Sequence, residues 1–201
     1  VAGLKEVRGQ FLVYDDALPN LDEIDESQLD HLGYNPAISG LNLNFNRVHF
    51  EWKRAGASYD VTMDARSETY RPAVSVSKMR VVDRDLPIYA YREVGDTDHW
   101  SVAKRALGNA GSRWLPVRQP SLYAAEVFAT FCRSHGVVLT PAKIINDLPA
   151  ATQIARFDGL PLEQLMRSML RFSTNITAEA AGLAASATRT GRRPRLRTSA
   201  Q

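Results

Sequence analysis

Cysteine is almost absent. Cys132 is the single one in 201 residues, which excludes an internal disulfide and any Cys-based metal site. It also argues against a disulfide-stapled secreted domain and fits cytosol or periplasm equally. Cys132 lies near Val127, Phe128 and Phe131 on a predicted helix and reads as a small buried apolar residue, not a catalytic thiol. No apolar run approaches the roughly 20 residues of a membrane span. No signal peptide is visible, but a chain opening on Val1 would look the same if it were an excised or mature piece. His31, His49, His99 and His135 are scattered, without ligand spacing or a paired acid. That pattern speaks against a metal centre and against a Ser-His-Asp arrangement. No metal and no cofactor is expected.

What is present is ordinary for a soluble globular protein: 44% apolar and 23% charged residues. The length suffices for one large or two small domains with a real core. The net charge of +3 is unevenly placed. Arg189, Arg192, Arg193, Arg195 and Arg197 fall in the last fifteen residues, which hold no acid; without those five charges the remainder stands at −2. Residues 187–201 read as a basic disordered tail, poor in large apolar side chains. The tail lacks interleaved aromatics and any reading motif, so a nucleic-acid partner is not expected.

The pattern changes near residue 115. Before it, short strands follow one another: Gly9–Asp15, then the alternations Leu41/Leu43/Phe45 and Val48/Phe50/Trp52. The shift of phase between those two predicts a bulge or turn near Asn46–Arg47. Tyr59/Val61/Met63, Ala73–Val82 and Leu86–Tyr91 continue the series, with Pro87 marking an edge or a strand start. Trp100–Ala103 is ambiguous between strand and helix. Residues 1–115 thus read as mainly antiparallel β-rich structure. Leu18–Ser39 interrupts them as an acidic, irregular excursion without the spacing of a calcium loop. After Pro120 the period becomes helical. Ser121–His135 places Leu122, Ala125, Phe128, Ala129 and Cys132 on one face, and Gly136 is a natural stop. Val137–Leu139 reads as a short strand and Pro141–Pro149 as a linker. Leu162, Leu165, Met166, Met169 and Leu170 then make an amphipathic helix behind Pro161. It stops around Phe172, and an Ala-rich helix runs from Asn175 to Ser186.

The junction between those helices carries the chemistry. Ser173 and Asn175, two residues apart, can point together into a groove, where a hydroxyl and an amide offer donors and acceptors to a peptide bond. Spacing alone leaves a second reading open. Ser173 or Thr174 could simply cap the following helix.

The wider pattern Met169-Leu170-x-x-Ser173-x-Asn175-x-x-Ala178-Glu179 resembles the second motif of the class C low-molecular-mass penicillin-binding proteins, which are serine D-alanyl-D-alanine carboxypeptidases/endopeptidases. Gly9–Asp15 is similar to that family's glycine-to-Asp strand. Gly40–Asn46 with Arg47–Val48 resembles its Ser-x-Leu-x-x-Asn-x-x-x-Val segment, and Tyr123–Val127 its helix re-entering the catalytic domain. The likeness spans roughly residues 4 to 183, in matching order. It implies an α+β fold: part of a penicillin-binding transpeptidase-like domain over residues 116–186, and an inserted antiparallel β-rich domain over residues 1–115. It implies Ser173 and Asn175 as catalytic residues, a peptidoglycan peptide as substrate, an acyl-enzyme on a nucleophilic serine, β-lactams as ligands of intact members, and a periplasmic or cell-envelope location.

The family's Ser-x-x-Lys and Lys-Thr-Gly motifs have no good match. Ser75–Lys78 spells the first but lies in a strand pattern, where the two side chains point apart. Ser101–Lys104 precedes a loop-like stretch with Gly108 and Gly111. Arg189-Thr190-Gly191 follows Asn175 too closely and falls in the tail. The expectation is a fragment that is inactive alone; the alternative is a non-catalytic envelope module binding peptidoglycan or a protein partner.

Overall fold

Alternating apolar residues build the first sheet. The computed structural model describes residues 6–190. In it Val48 and Phe50 of β2 (Arg47–Ala55) turn fully inward, and Met63 of β3 (Ser58–Asp64) joins them. Gly56, at φ 61°, supplies the left-handed residue of the two-residue loop between them. β7 (Ala110–Pro116) closes the sheet on the other side of β2, giving the antiparallel order β3-β2-β7. Gly108 and Gly111 make its start look like a loop in the sequence. Gly111 is instead a strand residue opposite Trp52, and a Cβ there would strike the indole ring.

A second sheet has the order β4-β6-β5, formed by β4 (Ser77–Val82), β5 (Tyr89–Val94) and β6 (Thr97–Ala103). The ambiguous Trp100–Ala103 stretch is therefore strand, and it is the central one. β5 sits at the edge, two residues after Pro87. β4 pairs with β6 in parallel and β5 antiparallel, so the β-rich part is not purely antiparallel. One apolar cluster takes Phe50, Trp100, Val102 and Leu115 from the two sheets and Tyr123 and Val127 from α1 (Pro120–Ser134). Burying each side chain of that size stabilises the fold by about 1.5–3 kcal/mol.

α1 ends as the sequence indicates, with Gly136 at φ 81°. Its buried face matches the expected one in part: Ala125 is buried and Leu122 packs against the core. Tyr123, Ala124 and Val127 go in, whereas Phe128 is exposed and rests on Phe11, ring centroids 5.8 Å apart. Cys132 is a free thiol and only half-buried, because it lies on the rim of that face. No strand forms at Val137–Leu139. The strand is β8 (Ala142–Ile145), inside the supposed linker, and it pairs in parallel with β1 (Phe11–Tyr14). The Leu41/Leu43/Phe45 alternation is likewise not a strand. Asn44, Phe45 and Asn46 form a tight turn with φ of 53°, 56° and 47°. Asparagine tolerates that region because its side chain can bond locally. Here Asn46 Oδ1 accepts from Leu43 N at 3.0 Å, and Asn44 Nδ2 donates to Arg66 O at 3.1 Å.

The acidic excursion is held from within. Asn35, 1% exposed, accepts from Ile24 N and Asp25 N and donates to Glu23 and to Asp25 O. Ile38 of the excursion packs with Ile176 and Leu183 of α3 (Asn175–Thr190). α3 extends four residues beyond Ser186, into the segment read as tail; the rest of that segment lies outside the described residues. α2 (Leu162–Phe172) forms as its periodicity predicts, yet none of its residues is buried. Among the described residues no helix is long and apolar enough to cross a membrane, and no group of three or more His, Cys, Asp or Glu is arranged to hold a metal ion.

Asp98 on β6 is fully buried. It accepts from Tyr91 Oη at 3.0 Å and Arg118 N at 2.9 Å. Burial outweighs both bonds and pushes its pKa up to about 6, against 3.8 for a free aspartate. The folded state therefore binds this proton more tightly than the unfolded chain. The resulting stabilisation is full below the unfolded value and is lost as pH rises through about 6. It amounts to roughly 3 kcal/mol, at about 1.4 kcal/mol per tenfold change in proton affinity. Thermal melts between pH 4 and 7 should show Asp98→Asn gaining on the parent as pH rises; parallel profiles would refute this coupling.

Candidate functional site

α2 stops at Ser173, whose φ of 52° and ψ of 47° are left-handed. Ser173 N–H bonds back to Met169 O, and Thr174 N–H reaches the same oxygen at 3.3 Å. This is a C-terminal cap made without glycine. It reverses the chain, so α3 starts two residues later at Asn175. Among the described residues neither the Ser173 nor the Thr174 hydroxyl makes a hydrogen bond, so neither acts as a side-chain cap of α3.

Ser173 and Asn175 open onto one groove of about 150 Å³. Its other wall comes from the excursion and from the turn before β2, through Tyr34, Phe45 and Arg47. Asn175 Nδ2 donates to Tyr34 O at 3.3 Å. That bond fixes the amide and leaves Oδ1 and one N–H to face a ligand. Both residues are exposed, as groove-lining side chains are when nothing fills the groove. No lysine lines the groove among the described residues.

The look-alike motifs sit elsewhere. Ser75 lies just before β4, and its Oγ is bonded to Glu126 at 2.8 Å, not to Lys78. The same carboxylate takes Ser75 N and Val76 N, which ties this segment to α1. Ser101 is on β6 and accepts from Arg84 Nη1 at 2.8 Å, while Lys104 begins a separate turn. Neither pair shares the first turn of a helix. Arg189 lies in the last turn of α3, and Gly191 lies outside the described residues.

The sequence model of the D-Ala-D-Ala carboxypeptidase 3 (S13) family matches residues 1–195. The chain belongs to that family. Within solved structures it shares the fold of penicillin binding protein 4 (dacB) from Haemophilus influenzae, with a TM-score of 0.68 at 18% identity over 98% of this chain. A second structure of that protein, complexed with a novel beta-lactam, gives 0.61 at 14% identity over 95%. This member of the D-Ala-D-Ala carboxypeptidase 3 family spans 45% and 42% of those two chains. No curated protein matches it.

The sequence points to Ser173 and Asn175 but not to Tyr34, Phe45 and Arg47, which line the same groove. Two of these stand at or beside the left-handed turn, and the run of asparagines at 42, 44 and 46 was the available signal. The intervening Leu41, Leu43 and Phe45 hide it by mimicking a strand.

Proposed function

We propose that this chain is part of a serine D-Ala-D-Ala carboxypeptidase/endopeptidase of the cell envelope, acting on peptidoglycan stem peptides, with β-lactams as ligands of the intact enzyme. In this reading residues 1–115 are its β-rich insertion and residues 116–186 part of its catalytic domain. Ser173 passes a proton and hydrogen-bonds a lysine amine supplied by a Ser-x-x-Lys motif; Asn175 orients the scissile amide. The observation that supports it is the pair itself. A free hydroxyl and a fixed amide share one open groove, at the motif position that the family resemblance assigns them.

Among the described residues neither Ser-x-x-Lys serine is bonded to its lysine, since Ser75 is bound to Glu126 and Ser101 to Arg84, and this supports the reading that the chain is inactive alone. Incubation with a labelled penicillin followed by peptide mass spectrometry should leave it unmodified. A covalent adduct on Ser75 or Ser101 would overturn the reading. The genomic DNA on both sides discriminates further. A Ser-x-x-Lys upstream and a Lys-Thr-Gly downstream favour the enzyme; their absence favours an envelope module that binds peptidoglycan or a protein without catalysis.

A further inference from the structure

The groove beside Ser173 and Asn175 contains a cation with no counter-ion. Arg47, the first residue of β2, lines it. Its guanidinium carbon lies 5.0 Å from the Phe45 ring centroid and 5.3 Å from that of Trp114. The two aromatic rings fix the planar group, as they do where arginine serves recognition. Arg47 Nε is shut off from solvent and has no hydrogen-bond partner. Among the described residues its guanidinium donates to nothing and meets no carboxylate within ion-pair distance. Two other buried or half-buried guanidinium groups at the ends of the sheets, Arg66 and Arg118, are paired. Arg66 holds Asp64 and Glu51, and Arg118 holds Glu23.

Two costs therefore meet at one place. Burial works against the Arg47 charge and lowers its pKa from the usual value, although a guanidinium stays protonated. The adjoining turn keeps Asn44, Phe45 and Asn46 left-handed, a conformation that is unfavourable for an aromatic residue such as Phe45. That turn sets Phe45 beside the guanidinium at the groove wall. Strain and an uncompensated cation gathered at an open groove are what a binding site shows before its ligand arrives.

We propose that Arg47 is a specificity-determining residue of this groove, and that its guanidinium takes a carboxylate of the bound peptide. The proposal rests on the reading that the Ser173–Asn175 groove holds a peptide. The carboxylate can belong to a side chain or to the peptide's C-terminus; the chemistry is the same, and the fork of N–H donors suits either.

The test is a 1H–15N NMR titration of the 201-residue chain with four N-acetylated tripeptides. They end in D-Ala-D-Ala, carry Glu or Gln at the first position, and have a free or an amidated C-terminus. The Asn175 side-chain amide reports groove occupancy, and the Arg47 Nε–H reports the cation. Both signals should move, and removing the recognised carboxylate should weaken binding about tenfold, the worth of a charge-assisted hydrogen bond. Weakening on Glu→Gln in the peptide identifies the side chain; weakening on amidation identifies the C-terminus. Arg47→Gln should abolish the preference while Asn175 still responds. If the four peptides bind equally and Asn175 responds to all of them, the role of Arg47 fails and the groove reading survives. If Asn175 responds to none, the groove reading fails and takes the proposal with it. The comparison of peptides on the unsubstituted chain decides even where Arg47→Gln does not fold.

Discussion

Gly40→Ala should unfold this protein or come close to it. A Cβ on Gly40 would clash with Asp15 O and stand 2.6 Å from Ala17 N and 2.7 Å from Asp15 C. All three are backbone atoms, so no side chain can swing away. The close approach has a purpose visible next door. Ser39 Oγ lies 3.3 Å from Ser121 Oγ, and Ser121 Oγ donates to Asp15 Oδ2, with all three side chains buried. This short chain of hydroxyls and a carboxylate fastens the excursion, α1 and the end of β1 to one another. Adding the methyl pushes the strands of chain apart and leaves buried polar groups unsatisfied. Overpacking of this kind costs about 1–3 kcal/mol where something can yield, and each stranded polar group adds roughly 1–3 kcal/mol. Gly108→Ala is the control, since nothing lies within 4 Å of its Cβ position. Urea titrations should show a large loss of stability for Gly40→Ala and almost none for Gly108→Ala. Equal midpoints for the two variants would refute the packing account.

Arg118→Met should release the acidic excursion. The Arg118 side chain is 7% exposed. Its Nη1 donates to Asp22 O at 2.6 Å and Asn35 O at 3.0 Å, and its Nη2 to Glu23 Oε2 at 3.1 Å and Asp30 O at 3.3 Å. One guanidinium thus gathers four points of an irregular segment that has few ladder bonds of its own. Removing one partner of a buried ion pair typically costs about 3–5 kcal/mol, because the other charge is left behind. The loss should be local before it is global. The excursion contributes Leu18, Leu21, Ile24 and Ile38 to the cluster under α3, and it carries the Tyr34 carbonyl that fixes Asn175. Limited proteolysis should cut the variant between Leu18 and Ser39 well before the parent, and the Asn175 amide resonance should shift. Parent-like protease resistance together with a parent-like urea midpoint would defeat this expectation.

The elements legible in the sequence are those whose pattern is local. β2 and β3 show period two, α2 shows 3.6, and Gly136 marks the end of α1, because each signal depends on neighbours along the chain. β8 and β7 are not legible, because their partners, β1 and β2, lie far away in sequence. A strand that owes its existence to a distant edge has no obligation to alternate. The face of α1 is legible only in part for a related reason. Periodicity says that a helix has an apolar side; the sheets it meets decide which residues go under. The same limit applies to α2, whose apolar stripe was plain in the sequence and is nowhere buried.

The candidate site divides in the same way. Ser173 and Asn175 were legible because their spacing and flanking residues form a linear motif, and the sequence alone determined that a polar pair interrupts two helices. Only the tertiary structure decided that Ser173 caps the first helix in a left-handed conformation instead of starting the second. It alone brought Tyr34, Phe45 and Arg47 across from residues more than a hundred positions away. Backbone conformation and unpaired charge are properties of an assembled surface, and no stretch of chain holds them by itself.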